Sequence, residues 1–137
     1  MARILCIDYG GKRTGLAVTD PMQIIATALT TVATKELISF LKNYFITEEV
    51  ELILIGEPLN LDDTPTHATA LVEQAVKQLQ KKFPSIPIKK IDERFTSKMA
   101  SKAMLEMGMK KKQRQQKGNI DQIAATIMLQ EYLQNNT

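Results

Sequence analysis

The sequence contains few of the side chains that form disulfides, bind soft metals or relay protons. Its 137 residues include one cysteine and one histidine. A single cysteine excludes an intrachain disulfide, and no Cys-rich or His-rich metal site can be built from one residue of each. Cys6 lies within an apolar run, which is typical of an inert thiol in the core. The sequence also shows no nucleophile–base pair suited to acyl transfer.

Long apolar segments and tryptophan are absent as well. No stretch approaches the ~20 apolar residues that cross a bilayer, and the N-terminus leads into a predicted strand without a signal peptide. A cytoplasmic protein without membrane contact is therefore expected. Because tryptophan is missing and aromatic residues make up only 5% of the chain, the sequence shows no platform on which single-stranded bases could stack.

The composition that remains is that of one globular domain, which we place at residues 1–137. Apolar residues make up 44% and charged residues 24%, which is ordinary for a chain that buries a core. The net charge is only +3, but one segment without acids concentrates basic residues: Lys110, Lys111, Lys112, Arg114 and Lys117. Such a segment is either a solvated surface loop or a binding site for nucleic-acid phosphates.

Hydrophobic patterning predicts an α/β domain with the element order βββαβαβαα. The predicted strands cover residues 4–7, 16–19, 24–30, 51–56 and 86–91; the predicted helices cover residues 34–45, 66–83, 96–107 and 120–134, the first capped by Thr34. The first three strands form a meander whose first hairpin turn covers residues 10–15. Right-handed crossovers make the first, fourth and fifth strands parallel. A five-stranded mixed sheet flanked by helices follows, with the fifth strand near an edge because it contains Pro87.

Carboxylates follow each of the three parallel strands. Asp8 ends the first strand, Glu57 the fourth, and Asp92 and Glu93 the fifth. Because the carboxyl ends of parallel strands share one edge of a sheet, we expect these residues to converge there. Asp121, in the first turn of the last helix, either interacts with the helix dipole or completes an acidic cluster. Crowded acids repel one another, and a cation such as Mg²⁺, which prefers oxygen ligands, relieves that repulsion.

Four motifs resemble those of the YqgF family, also called RuvX. They are Ile-Asp-Tyr-Gly at 7–10 with Arg-Thr-Gly-Leu-Ala at 13–17, Ile-Gly-Glu-Pro-Leu-Asn at 55–60, Asp-Glu-Arg-Phe-Thr-Ser at 92–97, and Asp-Gln-Ile-Ala-Ala at 121–125. The resemblance spans essentially the whole chain. It implies an RNase H-like fold related to the Holliday junction resolvases of the RuvC type.

The resemblance also implies a metal-dependent nuclease in which Asp8, Glu93 and Asp121 form an acidic triad that binds Mg²⁺ or Mn²⁺. Members of the family are described as nucleases that mature the 5′ end of pre-16S ribosomal RNA, and an older proposal is junction resolution. We expect Asp8 to bridge two metal ions, with Glu93 and Asp121 holding one each. Glu57 stands where the family more often has an apolar residue. It is either an additional ligand or, as we favour, a solvent-facing substitution.

Basic residues flank the expected site on two sides. Lys12 and Arg13 follow the first strand, and the basic segment at residues 110–117 precedes the last helix, so both could bind a phosphate backbone. Arg94 either clamps a phosphate or forms a structural ion pair. Asp92 should face away from Glu93, because successive residues alternate along an extended chain.

Other functions stay open at the level of the sequence. A DNA junction resolvase with the same fold would cut two strands as a symmetric dimer, and the sequence does not decide between monomer and homodimer. A non-catalytic ribosome-assembly factor is a second alternative, against which three intact acids argue. An actin-like ATPase would need two such domains. The expected partner is therefore RNA, as pre-16S rRNA or a ribosomal particle, with branched DNA as the alternative.

Overall fold

The computed structural model describes residues 2–57, 67–92 and 117–135. Its strands are β1 (Arg3–Tyr9), β2 (Arg13–Thr19), β3 (Ala26–Ala33), β4 (Val50–Glu57) and β5 (Ile88–Asp92). Its helices are a short 3-10 helix (Thr34–Glu36), α1 (Leu37–Thr47), α2 (His67–Lys82) and α3 (Lys117–Asn135). Within these ranges, no helix is both long and apolar enough to cross a bilayer.

The five strands form one mixed sheet in the order β3-β2-β1-β4-β5. β2 pairs antiparallel with β1 and β3, whereas β1, β4 and β5 run parallel. The predicted meander, the parallel strands and the edge position of β5 are confirmed. Pro87 lies just before β5, where its missing N–H costs no bond of the ladder, and its carbonyl accepts a hydrogen bond from the Ile53 N–H at 3.0 Å.

Alternation along β1 divides the core into two layers, one on each face of the sheet. Leu5 and Ile7 pack against side chains of α1 and α2, whereas Ile4 and Cys6 pack against side chains of α3. Cys6 is a buried free thiol, as predicted. Each large apolar side chain that is fully buried contributes roughly 1.5–3 kcal/mol, so β1 stabilises both layers at once.

The turn between β1 and β2 is shorter than predicted. β2 already begins at Arg13, because Thr14 and Gly15 pair with Tyr9 and Asp8 of β1. The predicted turn at residues 10–15 was therefore wrong in its second half.

Two helix starts also differ from the prediction. Thr34 does not cap α1, because the residue before the helix is Glu36 and no side chain caps it. The Thr34 hydroxyl instead donates to the Gly10 carbonyl at 2.5 Å. The last helix begins at Lys117 rather than at residue 120. The predicted helix at residues 96–107 lies outside the described residues.

Candidate functional site

Asp8 lies near the carboxyl end of β1, the middle strand of the sheet. It follows Cys6 by two residues, so strand alternation places it on the face covered by α3. Asp8 is half-buried, and its partner in the register with β2 is Gly15. Gly15 is itself buried and places no side chain beside Asp8.

The amino end of α3 lies at the same edge of the sheet as Asp8. The opposite end of this helix, at Leu133 and Gln134, lines a groove with Ile24 and Ile25, which precede β3 at the amino edge of β1. Since a helix is straight over this length, its first turns are directed toward the carboxyl edge. The described helix backbone therefore carries Asp121 to the edge where Asp8 lies.

Small residues let α3 approach the sheet closely. Ala124 and Ala125 are buried, and Ala125 packs in one cluster with Cys6 and Ala17. Asp121 precedes Ala125 by four residues, which is one helical turn, so both belong to the same side of the helix. The side chain of Asp121 itself is outside the described part of the structure.

The turn that follows Asp8 is braced by two threonines. The Thr34 N–H donates to the Lys12 carbonyl at 2.9 Å, and the Thr34 hydroxyl donates to the Gly10 carbonyl at 2.5 Å. The hydroxyl of buried Thr14 lies 2.9 Å from that of Thr34. Since Thr34 already uses its proton on Gly10, Thr14 is the donor of this bond. The turn that follows Asp8 is therefore stabilised by a residue that is distant from it in sequence, Thr34.

Lys12 and Arg13 lie at this edge, on and just after the turn that follows Asp8, and both are exposed. The structure also brings Lys35 next to this turn, a neighbour that the sequence reasoning missed. Lys35 and Gly11 line one cavity of about 280 Å³ next to the turn. The cavity that Lys35 lines is shared with Leu37 and Leu79, so it lies on the α1 and α2 face, opposite to the face of Asp8. Lys35 is far from this turn along the chain, and the pairing of Ala33 with Arg13 and the hydrogen bond between Thr34 and Lys12 bring it there.

Glu57 lies on the other face of the sheet from Asp8. Ile7 and Ile55 are register partners, both belong to the layer under α1 and α2, and Glu57 follows Ile55 by two residues. The Glu57 carboxylate forms an ion pair with the Lys90 ammonium at 3.1 Å.

Lys90 also forms an ion pair with Glu73 of α2. Its hydrogen bonds to Glu73 and Glu57 raise the pKa of Lys90 above its ordinary value. Glu57 is therefore engaged with α2 and β5 and does not join Asp8. Asp92, the last residue of β5, pairs in register with Glu57.

The remaining predicted site residues lie outside the described residues, either wholly or by their side chains. Glu93, Arg94, Lys110, Lys111, Lys112 and Arg114 fall in the first group, and Asp121 and Lys117 in the second. Among the described side chains, no three of His, Cys, Asp and Glu come together in a way that could hold a metal ion. Of the predicted triad, Asp8 is the member whose side chain is described, and its carboxylate oxygens are of the type that Mg²⁺ and Mn²⁺ prefer.

Comparison with known proteins gives consistent matches over the whole chain. The profile of the RuvX family, described as Holliday junction resolvase, matches residues 2–135. A protein of Flavobacterium johnsoniae named "Putative pre-16S rRNA nuclease" is 56% identical over 133 residues, which cover 97% of this chain and 96% of that protein. A protein of Christiangramia forsetii with the same name is 53% identical over 133 residues, covering 97% of this chain and 98% of that protein.

Among solved structures, T. thermophilus RuvC in complex with a Holliday junction substrate superposes with a TM-score of 0.60 at 17% sequence identity. The match covers 100% of this chain and 98% of RuvC. At this identity the similarity shows the fold. The fold is RNase H-like, as the sequence motifs indicated.

Proposed function

The chain belongs to the RuvX family, and from that membership we propose that residues 1–137 form one nuclease domain that processes the 5′ end of pre-16S rRNA in the cytoplasm. The observation that carries this proposal is the placement of Asp8. Its carboxylate lies near the end of the middle strand, on the face that α3 covers, and α3 brings Asp121 to the same edge. The name shared by relatives that match over nearly their full length supports the substrate.

The proposed catalytic group is the triad Asp8, Glu93 and Asp121, which would hold Mg²⁺ or Mn²⁺. Three carboxylates without a histidine form a donor set that suits hard divalent cations. When bound, such cations stabilise the negative charge that develops on a phosphodiester during cleavage, and two of them can act together. Within the chain, β1 carries Asp8 and α3 carries Asp121, so these two elements would hold two of the three acids relative to one another. Glu57 stays outside the group because of its ion pair with Lys90.

The proposed contacts to the RNA backbone come from basic residues around this edge. Lys12 and Arg13 lie just past Asp8 on the braced turn, and Arg94 follows the candidate acid Glu93 directly in sequence. The basic segment contributes Lys110, Lys111, Lys112, Arg114 and Lys117. These side chains would bind phosphates without reading bases, so the choice of cleavage position falls to RNA shape or to the ribosomal particle.

Branched DNA is the second candidate substrate, because the matching family is described as Holliday junction resolvase. Resolution requires two cuts related by the symmetry of the junction, so this activity needs a homodimer. The rRNA activity is compatible with a monomer. A monomer in solution would therefore argue against junction resolution, whereas a dimer would be compatible with both substrates.

The experiment that tests the proposal compares substrates and metals in parallel. Purified protein is incubated with pre-16S RNA, with assembled small ribosomal subunits that carry it, and with a four-way DNA junction, each in Mg²⁺, Mn²⁺ or EDTA. We expect cleavage of the RNA or the particle, inhibition by EDTA, and loss of cleavage in Asp8→Asn. Cleavage of the four-way junction without cleavage of the RNA or the particle would mean that branched DNA is the substrate. Metal-independent binding of the particle without cleavage would indicate an assembly factor instead.

A further inference from the structure

The connection from β2 to β3, at the other end of β2 from the candidate site, exposes an unusual amount of apolar surface. This segment, residues 20–25, is called the Asp20 loop below. Met22 is 57% exposed, Ile24 68% and Ile25 62%. Single exposed apolar residues are common on proteins, but three within one short loop form a patch of the kind that marks an interaction surface.

The Asp20 loop is held in one conformation by its own residues. The Asp20 carboxylate accepts hydrogen bonds from the backbone N–H groups of Ile24 and Ile25, each at 2.8 Å, and of Met22 at 3.2 Å. Gln23 has a φ of 59°, in the left-handed region that residues other than glycine seldom occupy. Because this backbone is already ordered, a partner would not have to supply the free energy of ordering it.

The patch continues into a groove between the sheet and α3. Ile24, Ile25 and Ala26 line one side of the groove, and Gln130, Leu133 and Gln134 of α3 line the other; its volume is about 520 Å³. A groove of this size receives several side chains of a partner. Apolar side chains at the mouth and amides along the α3 side suit an amphipathic segment that buries one face.

The charges around the Asp20 loop are acidic. The side-chain amide of Gln23 contacts Glu51 and donates to the Ala2 carbonyl at 2.8 Å. Arg3 is paired with Glu48 at 3.0 Å, so this cation is neutralised locally. The side chains that line the groove are uncharged, and the Asp20 loop itself contains Asp20 and no lysine or arginine.

The cation that contacts the described part of α3 belongs to the other side of that helix. The Lys89 ammonium lies 5.1 Å from the centre of the Tyr132 ring. Lys89 belongs to β5, which forms the sheet edge opposite to β3. The charges that the contacts place beside the Asp20 loop are therefore those of Asp20 and Glu51, called the acidic rim below, and not that of Lys89.

This acidic rim decides between the possible occupants. Nucleic acid is repelled because its phosphates carry the same sign of charge. In a twofold contact both copies would bring these acids to the interface and neither would bring a cation from the Asp20 loop. We propose that the Asp20 loop and the adjoining groove form a docking surface for a basic amphipathic helix of another protein. This proposal does not depend on the nuclease activity.

A designed peptide tests the proposal directly. The probe is a fluorescein-labelled peptide of about 18 residues, roughly five helical turns, with leucines on one face and lysines on the other. Fluorescence anisotropy is measured as the full-length protein is added. A scrambled peptide of the same composition and a leucine–glutamate version are the controls. We expect both controls to bind at least about tenfold more weakly than the probe.

Matched variants locate the binding surface. Ile24→Ser should weaken binding of the probe about fivefold or more. Ile46→Ser removes a comparably exposed isoleucine, 78% exposed, from α1, and should change binding by less than about twofold. Both positions are exposed, so both variants should keep the thermal unfolding midpoint of the parent protein. Amide NMR shifts on titration should concentrate in residues 20–26 and 130–134.

Four results would overturn the proposal. If Ile24→Ser bound the probe as tightly as the parent protein, the apolar patch would not be part of the binding surface. If the leucine–glutamate peptide bound as tightly as the leucine–lysine probe, charge complementarity would not contribute to binding. Displacement of the probe by a double-stranded RNA oligonucleotide would place the peptide on the basic edge. A dimer in sedimentation that Ile24→Ser dissociates would assign the patch to a second copy of the chain.

Discussion

The two loops that flank β2 differ in composition, charge and the way in which they are held. The turn before β2, at residues 10–12, contains two glycines and Lys12 and lies beside Asp8. The Asp20 loop after β2 contains no cation and exposes three apolar side chains. One strand thus separates a turn with an exposed lysine from a loop with exposed apolar side chains. The two proposals above assign these two ends to different partners.

The loops also differ in where their stabilising bonds originate. Asp20 lies within its own loop and accepts hydrogen bonds from residues two to five positions later. The turn before β2 depends on Thr34, which is 24 positions from Gly10 along the chain. Gly10 cannot carry a larger side chain, because a Cβ there would overlap the Arg13 carbonyl oxygen. The stability of the turn beside Asp8 should therefore depend on residues that are distant in sequence, whereas that of the Asp20 loop should not.

The largest effect is expected at the carboxylate beside the first turn. Asp8→Asn should reduce metal-dependent RNA cleavage by about 10³-fold or more, because it removes a charge that holds the cations. Glu57→Gln is the matched control on the other face of the sheet and should stay within about tenfold of the parent. Initial cleavage rates over a range of Mn²⁺ concentrations measure both. Equal losses of cleavage rate in the two variants would contradict the conclusion that Asp8 and Glu57 lie on opposite faces of the sheet.

The bracing of the first turn should be visible in stability. Thr34→Val removes the hydroxyl that donates to Gly10 and leaves that carbonyl and Thr14 without this partner, so we expect a loss of about 1–3 kcal/mol in the free energy of unfolding. Urea denaturation measures it. Thr47→Val is the control, because the Thr47 hydroxyl lies on the surface, 3.4 Å from the Tyr44 carbonyl, and should cost less than about 0.5 kcal/mol. If both variants lost the same free energy of unfolding, the Thr34 hydroxyl would not be what stabilises this turn.

A third comparison concerns RNA affinity. Lys12→Gln combined with Arg13→Gln removes two cations next to Asp8, so the slope of log affinity against log salt should decrease in magnitude by about 1–2. Lys81→Gln combined with Lys82→Gln removes two cations from the last turn of α2, at the opposite edge of the sheet, and should leave the slope unchanged. Filter binding at several salt concentrations distinguishes them. An equal change in both pairs would mean that binding depends on net charge alone.

The smallest effect is expected in the Asp20 loop. Hydrogen bonds from Ile25, Ile24 and Met22 hold the pKa of Asp20 below its ordinary value of 3.8. The stabilisation from the ionised form is therefore present above that pH and is lost as the pH falls through the lower pKa of the folded state. Asp20→Asn should lower the unfolding midpoint by a few degrees at neutral pH. The difference should shrink in the acid range, and a difference independent of pH would contradict the role of the charge.

Much of the sheet could be predicted because its signals are local. The apolar run at residues 4–7, the prolines and glycines at strand ends and the rule for right-handed crossovers were sufficient for the parallel strands and for the edge position of β5. The same reasoning placed Asp8 at the carboxyl edge. The role of Thr34 was predicted wrongly, because a threonine before a helix is usually a cap and its actual acceptor, Gly10, is distant in sequence.

Glu57 shows the same limit for a candidate site residue. The sequence places its backbone at the correct edge, and both a ligand and a solvent-facing role were open. Only the register between β1 and β4 assigns it to the α2 face, and only the fold brings Lys90 and Glu73 to its carboxylate. The sites of Glu93 and Asp121 stay predictions that the proposed experiments test.

By itself, the sequence determined the order and type of the five strands and of α1, α2 and α3, the buried Cys6 and the family motifs, because these depend on neighbouring residues or on periodicity. The tertiary structure decided which face of the sheet each strand-end acid occupies, what braces the turn after Asp8, and which loop presents apolar surface beside α3. These features depend on strand register and on contacts between residues far apart in the chain, and both are set only when the whole core packs.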